Sequence, residues 1–435
     1  MPDTDHTRSQ RPHAGRHVWI VNHYAAGPNV PAGTRHYSLA RQLQARGHQV
    51  TIFAAGFDHG SHRQRFSWGR SLARRQRVDG VQFVWLRTIP YQGNSARRVL
   101  NMLSFMVLFL MAQVGEARPD VVIGSTVHPF AAFGAWFAAR TRGVPFVFEI
   151  RDLWPQTLVD LGALRIGSPL ERGLRSLEVF LVRHATAVIT LLPGIRDYLR
   201  GQGLPDDRVV YLPNGADLEH FAEGADRQEL VPAAADVLAA VDRLRGEGRF
   251  IVGYVGALGR VNRAELLVEA ATLAEERAPR RIGLVVVGGG PERPVVEATA
   301  QGQPGVAVLA SIPKTNVPRI LRSFDAAVVH TTWTPVYRYG VSFNKLFEYM
   351  AAERPVVFAC ECAYDPVEAS AAGVTIRPDD PEALASAFLR LADTPPADLQ
   401  RMGAAGLDYV RRGHDFDVLG ETLTAVVEGR LPQAT

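Results

Sequence analysis

Asn344, Lys345 and Glu348 fall at the start of a predicted helix, behind the polar loop Gly340-Val341-Ser342-Phe343 and ahead of a strand opened by Pro355. A helix N-terminus offers unbonded backbone N–H groups and the positive end of a dipole, which suits a diphosphate. Lys345 would add a charge there. Glu348, one turn on, is placed to accept hydrogen bonds from ribose hydroxyls, and the loop–helix–strand order is how a nucleotide site is built at the edge of a parallel sheet. Lysine is rare in this chain: of 48 lysines and arginines only Lys314 and Lys345 are lysines, so its presence here is not compositional noise. An ordinary amphipathic helix with a surface Lys and Glu is the competing reading.

The elements that must position these residues form two runs of alternating strand and helix patterns, the signature of parallel sheets covered on both faces. In the first run strands are predicted at 17–22, 49–54, 81–86, 121–124, 145–150, 187–190 and 209–212. In the second they are predicted at 250–256, 282–287, 306–310, 326–329, 355–358 and 374–376. The fold class is therefore α/β, with two doubly wound Rossmann-like domains facing a cleft. The predicted boundaries are a disordered tail over 1–16, an N-terminal acceptor-side domain over 17–212, and a C-terminal nucleotide-binding domain over 213–412. A final segment, 413–435, is a helix expected to pack back on the first domain.

Other residues sit where strands end. His128, in Ser125-Thr126-Val127-His128-Pro129, follows the strand 121–124. Glu149, Arg151 and Asp152 end the next strand and face the same crevice, where they either bind an acceptor or form an internal ion pair. Gly33, with Gly27, lets the first loop approach a phosphate closely, or serves a mobile gate. Asp415-Phe416-Asp417 is formally D-x-D, but at the start of the last helix aspartates cap the helix, and no metal is implied.

Composition is that of a soluble α/β protein, with 47% hydrophobic and 21% charged residues. The net charge of +4 conceals an asymmetry: residues 1–200 hold 25 Arg against 12 Asp plus Glu, or +13, and the remainder 23 basic against 32 acidic, or −9. The N-terminal half thus faces something anionic, a lipid diphosphate or a membrane surface, rather than nucleic acid, for which no binding motif is present. Gly60 to Val78 reads as a basic loop with six arginines and no acid, and Val99 to Val114 as a nearly uncharged helix short of the ~20 residues of a membrane span. That helix either dips into the inner leaflet or is core. Cys360 and Cys362 have no second pair elsewhere, so zinc and disulfides are not expected and a reducing cytoplasm is. The polar N-terminus lacks the apolar core of a signal peptide.

In order and spacing, the segments Arg46-Gly47-His48-Gln49-Val50, Leu212-Pro213-Asn214-Gly215-Ala216-Asp217 and Val287-Gly288-Gly289-Gly290-Pro291-Glu292 resemble the retaining glycosyltransferases of family 4, which have the GT-B fold. The resemblance runs from residue 17 to about 428. Phe148 to Pro155 and Phe343 to Tyr349 point to a branch similar to bacterial O-antigen transferases of N-acetylfucosamine type. The resemblance implies a donor site with Gly33, Gly256, Arg260, Arg263, Gly290, Asn344, Lys345 and Glu348, in which Arg263 or Arg260 stands where the family clasps the diphosphate. It also implies catalytic roles for His128 and Glu348, with Glu149, Arg151 and Asp152 on the acceptor side. The family's first donor-site glutamate, eight positions before Glu348, falls here on Gly340.

The resulting expectation is transfer of an N-acetylated hexosamine or deoxyhexosamine from a UDP donor to a lipid-linked or glycan acceptor, without metal or other cofactor. The protein would be cytoplasmic and peripheral on an anionic membrane. A UDP-sugar 2-epimerase on the same fold and a catalytically silent scaffold are the alternatives. A nicotinamide dehydrogenase is not expected, because Gly288-Gly289-Gly290 does not continue as G-x-G-x-x-G and no acidic residue pattern follows it.

Overall fold

The computed structural model describes residues 15–28, 34–93, 96–126, 128–222 and 229–431. Gly33 and the tail up to residue 14 lie outside the described residues.

The N-terminal half forms β1 (His17–Val21), β2 (Gln49–Ala55), a short ribbon of β3 (Phe57–Asp58) with β4 (Arg63–Gln64), β5 (Ala73–Val78), β6 (Val81–Leu86), β7 (Val121–Ser125), β8 (Phe146–Ile150), β9 (Ala187–Thr190) and β10 (Val209–Tyr211). Eight of these build one sheet in the order β10-β9-β8-β7-β1-β2-β6-β5, parallel except for β5. Strands such as Phe146-Val147-Phe148 are apolar at every position because helices cover both faces. Trp19, Val21, Phe53 and Phe148 pack with the helices Ala96–Ala112, Pro129–Arg142 and Pro169–His184. On the other face Val18, Ile20 and Ile52 meet Arg35–Ala45 and Phe416–Val427.

Gly60 to Val78 is not one basic loop. Arg63 is in the ribbon, and Arg74, Arg75 and Arg77 belong to the antiparallel edge strand β5. The four residues Arg74 to Arg77 are exposed, and charge on an edge strand blocks pairing with another chain. The alternation is invisible in the sequence because a strand whose residues are nearly all solvated has no apolar face to betray it. In the helix Ala96–Ala112, Met102, Phe105 and Phe109 are buried in the core, while Val99, Leu100, Val107 and Met111 are about half exposed.

The C-terminal half forms β11 (Phe250–Val255), β12 (Ile282–Val287), β13 (Val306–Leu309), β14 (Ala326–His330), β15 (Val356–Ala359) and β16 (Gly373–Ile376), all parallel, in the order β13-β12-β11-β14-β15-β16. The chain crosses between the halves at 212–217 and again at 413–416. The two crossings are bonded to each other, Ala216 N–H to the His414 carbonyl at 2.9 Å and Phe416 N–H to the Ala216 carbonyl at 3.1 Å. The last helix, Phe416–Val427, lies on the N-terminal sheet's helix Arg35–Ala45, with Leu419 and Leu423 in the same buried cluster as Leu39 and Leu43 and an Arg46–Asp417 ion pair at 2.7 Å.

Candidate active site

The strand order of the second sheet reverses between β11 and β14, and open α/β sheets bind ligands beyond the carboxyl ends of the strands at such a point. The helix Asn344–Ala351 follows β14 there. The first N–H groups of any helix lack an intrahelical acceptor, and here the N-cap, Phe343, has no side chain able to supply one. Lys345 donates to the Tyr254 hydroxyl and to Asn262 Oδ1, both at 2.9 Å, and lies over the Tyr254 ring at 4.6 Å. Burial lowers its pKa to about 7, against the opposing pull of Glu348. Gly256, at the end of β11, leaves room for this side chain: a Cβ there would stand 3.3 Å from Lys345 Nζ.

Glu348 is buried and ion-paired with Lys314. Of the chain's two lysines, Lys314 pairs with this carboxylate directly, while Lys345 feels its charge without bonding to it. Lys314 escaped the sequence reading although its signal was the same rarity that singled out Lys345. Arg260, on the loop after β11, is exposed and makes no hydrogen bond or ion pair with any described residue. Arg263 is different: it is held by Glu265 at 3.2 Å and Asp379 at 3.1 Å, which ties its guanidinium to the rim of the domain rather than leaving it free for a phosphate.

Gly290 has φ +152°, and a Cβ would come within 2.3 Å of the Leu258 carbonyl, so its glycine lets the loops after β11 and β12 pack backbone to backbone. Gly340 has φ +97°, and a Cβ would lie 2.6 Å from Pro193 Cδ of the N-terminal domain. A glutamate cannot adopt that backbone without strain. Next to it, Gly194 N–H donates to the Tyr339 carbonyl at 2.9 Å and Tyr198 meets Tyr339 edge to face at 5.3 Å, so this glycine sits where the domains touch.

The first sheet reverses between β1 and β7, and His23 and His128 meet across that point, Nδ1 to Nε2 at 2.8 Å. His128 caps the helix Pro129–Arg142, accepting from Ala131 N–H at Nδ1 (3.4 Å). Burial, helped by Arg98, lowers its pKa to about 3. The neutral ring therefore carries its proton on Nε2 and donates to His23, whose own proton is left on Nε2, an atom without a hydrogen-bond partner. With no exposed surface and both nitrogens engaged, His128 does not itself meet a sugar in this arrangement; it positions His23. No spacing signal in the sequence points to His23.

Of the two roles open to Glu149, the structure takes the internal one. Its carboxylate is 2% exposed and receives Arg35 Nη2 at 3.2 Å and His36 Nε2 at 2.6 Å. Burial alone would raise its pKa, and His36 and Arg35 together outweigh it and hold the carboxyl well below the usual range. Arg35 also donates to the Leu212 carbonyl at 2.7 Å, and Asn214 reaches Ser342, two residues before the donor-side helix, from both N–H (2.8 Å) and Nδ2 (2.6 Å). Glu149 thus anchors the crossing rather than an acceptor. Arg151 is half-buried, its N–H bonded to Thr126 Oγ1 at 2.9 Å, and Asp152 is solvent-accessible beside Tyr337 of the C-terminal domain. Asp415 caps the last helix and also accepts from Leu218 N–H.

Residues 32–215 match the model of a glycosyl transferase 4-like domain, and residues 249–394 that of glycosyl transferases group 1. The chain is 30% identical over 243 residues to EpsF, a glycosyltransferase-like protein of Bacillus subtilis, a match covering 51% of this chain and 58% of EpsF. Among solved structures it superposes on sucrose-phosphate synthase of Thermosynechococcus elongatus (TM-score 0.70, 18% identity, 95% of this chain and 98% of that one). It also superposes on Anabaena HepE in complex with UDP and glucose (0.65, 15%, 95% and 99%) and on trehalose 6-phosphate synthase of Burkholderia multivorans (0.69, 16%, 96% and 97%). With its two facing parallel-sheet domains, the chain therefore belongs among proteins that join a glycosyl transferase 4-like domain to a group 1 glycosyl transferase domain in a GT-B fold.

Proposed function

We propose that this protein is a retaining glycosyltransferase that moves a sugar, an N-acetylated hexosamine or deoxyhexosamine, from a UDP donor to a membrane-associated lipid-linked or glycan acceptor. The observation that carries the reading is the uncapped N-terminus of the helix Asn344–Ala351 at the switch point of the second sheet, with Lys345, Lys314 and Glu348 gathered on it. Solved neighbours holding UDP or UDP-glucose favour uridine as the nucleoside.

In this reading Glu348 accepts the ribose hydroxyls, displacing Lys314 toward the phosphates, while the helix N–H groups, Lys345 and Arg260 take the charge that builds on the leaving diphosphate. Such preorganised donors act where charge develops, in a site that domain closure shields from water. Retention follows from same-face displacement, the departing phosphate oxygen taking the proton of the acceptor hydroxyl. His23, held by His128 at the other switch point, keeps a buried Nε2–H near the Asn101 side chain and would reach the acceptor or donor sugar only when substrate binding or domain closure opens that contact. Gly340 does not argue for a silent scaffold, because its φ and its contact with Pro193 give glycine a conformational reason at that position. The test is a screen of UDP-sugars for UDP release that depends on an added lipid-linked or glycan acceptor. Conversion of a UDP-sugar without acceptor, or donor binding without any release, would overturn the proposal.

A further inference from the structure

We propose that the outer face of the three helices Ala96–Ala112, Pro129–Arg142 and Pro169–His184 lies on an anionic lipid surface, without spanning it. The helices pack side by side over one face of the first sheet. Their outward side exposes Leu100 (50%), Val107 (50%), Met111 (59%), Phe137 (44%) and Leu170 (61%), and Val114 (77%) continues the stripe just past the first helix. Leu100, Val107, Met111 and Val114 recur at three-, four- and seven-residue spacing, one stripe of a helix. The opposite stripe, Met102, Phe105 and Phe109, is locked in the core, so the helix cannot leave the domain to cross a bilayer.

Charge selects the occupant. Arg97, Arg140, Arg172 and Arg183 are exposed on the same three helices, and none has an acidic partner among the described residues. The helices contain two acids, Glu171 and Glu178, both buried and both bound by Arg175 at 3.1 and 3.4 Å. Exposed apolar side chains among unpaired arginines, with no exposed carboxylate, match an interfacial layer of acyl chains under anionic headgroups. A second copy of the same face would set arginine against arginine. The arginines of β5 are not part of this face; Arg75 is committed to Glu116. The inference refines the membrane-associated acceptor proposed above, but its test needs no turnover, so either can fail alone.

The full chain is sedimented with vesicles of phosphatidylcholine alone and of phosphatidylcholine mixed with phosphatidylglycerol. Binding is expected only to the mixed vesicles and should weaken with salt. The triple change Arg140→Gln, Arg172→Gln and Arg183→Gln should reduce partitioning by roughly a hundred-fold, at about five-fold per arginine. Val107→Gln with Met111→Gln and Val114→Gln should reduce it at least ~10-fold with thermal unfolding unchanged, since these side chains are at the surface. Changing Arg74, Arg75 and Arg77 of β5 to Gln should have the smaller effect. No binding to mixed vesicles, a larger loss from the β5 set, or a dimer that Met111→Gln dissolves would each overturn the proposal.

Discussion

Donor binding should take up a proton through Lys345, and the size of that uptake follows from the structure. With burial holding the Lys345 ammonium at about pH 7 in the empty site, only about a tenth of the molecules carry its charge at pH 8. A diphosphate beside it favours the charged form, so binding at pH 8 should take up about 0.9 proton, falling to about 0.1 at pH 6. The sign is fixed: affinity is constant below pH 7 and weakens about ten-fold per unit above it, until the bound-state pKa is reached. The buried His128 and His414 do not obscure the reading, since burial takes them to about 3 and about 4. Titration calorimetry with UDP-glucose, whose diphosphate does not titrate near neutrality, in two buffers of different ionisation enthalpy gives the proton count directly. Lys345→Met should remove the uptake and make affinity independent of pH across this range. Uptake that survives this substitution, or wild-type binding with none at pH 8, would refute the assignment of Lys345 to the diphosphate.

Glu348→Gln should weaken UDP-glucose binding about ten- to a hundred-fold, the loss of a hydrogen bond to a charged group of about 1.5–3 kcal/mol, with little change in melting temperature; unchanged affinity would remove Glu348 from the ribose. Gly340→Ala should destabilise the protein by about 1–3 kcal/mol in thermal unfolding, from strain at φ +97° and the clash with Pro193, and a variant as stable as wild type would show that the loop moves freely. Arg35→Ala should cost about 3–5 kcal/mol by leaving Glu149 buried and unpaired. Because Glu149's folded pKa lies below its unfolded value of about 4.3, its stabilisation is complete above that pH and is lost as pH falls through the folded pKa. Glu149→Gln should therefore flatten the acid limb of stability, and an unaltered limb would contradict the ion pair.

The sheets were legible because parallel strands buried on both faces are apolar runs bounded by Gly and Pro, and nearly every one is found within a residue of its predicted bounds. Three strands escaped: β3 and β4, of two residues each, are too short to show a period, and β5 is an edge strand with four consecutive exposed residues, for which periodicity has nothing to detect. The donor-side helix was legible for a local reason: Asn344, Lys345 and Glu348 need only one helical turn to converge. Partner choice is what the sequence leaves open. Glu149 lies two residues from Arg151 in the chain, yet it is bound by Arg35 across 114 residues, and His128 meets His23 across 105.

Residue type and local spacing were therefore enough to name Lys345 and Glu348, while His23 and Lys314 emerged only from tertiary contacts. Whether each candidate faces a ligand or a buried counter-ion was set only when the two sheets and the crossing between them brought distant charges together. Burial makes that decision, because a carboxylate or imidazole removed from water must take whatever partner the packing supplies.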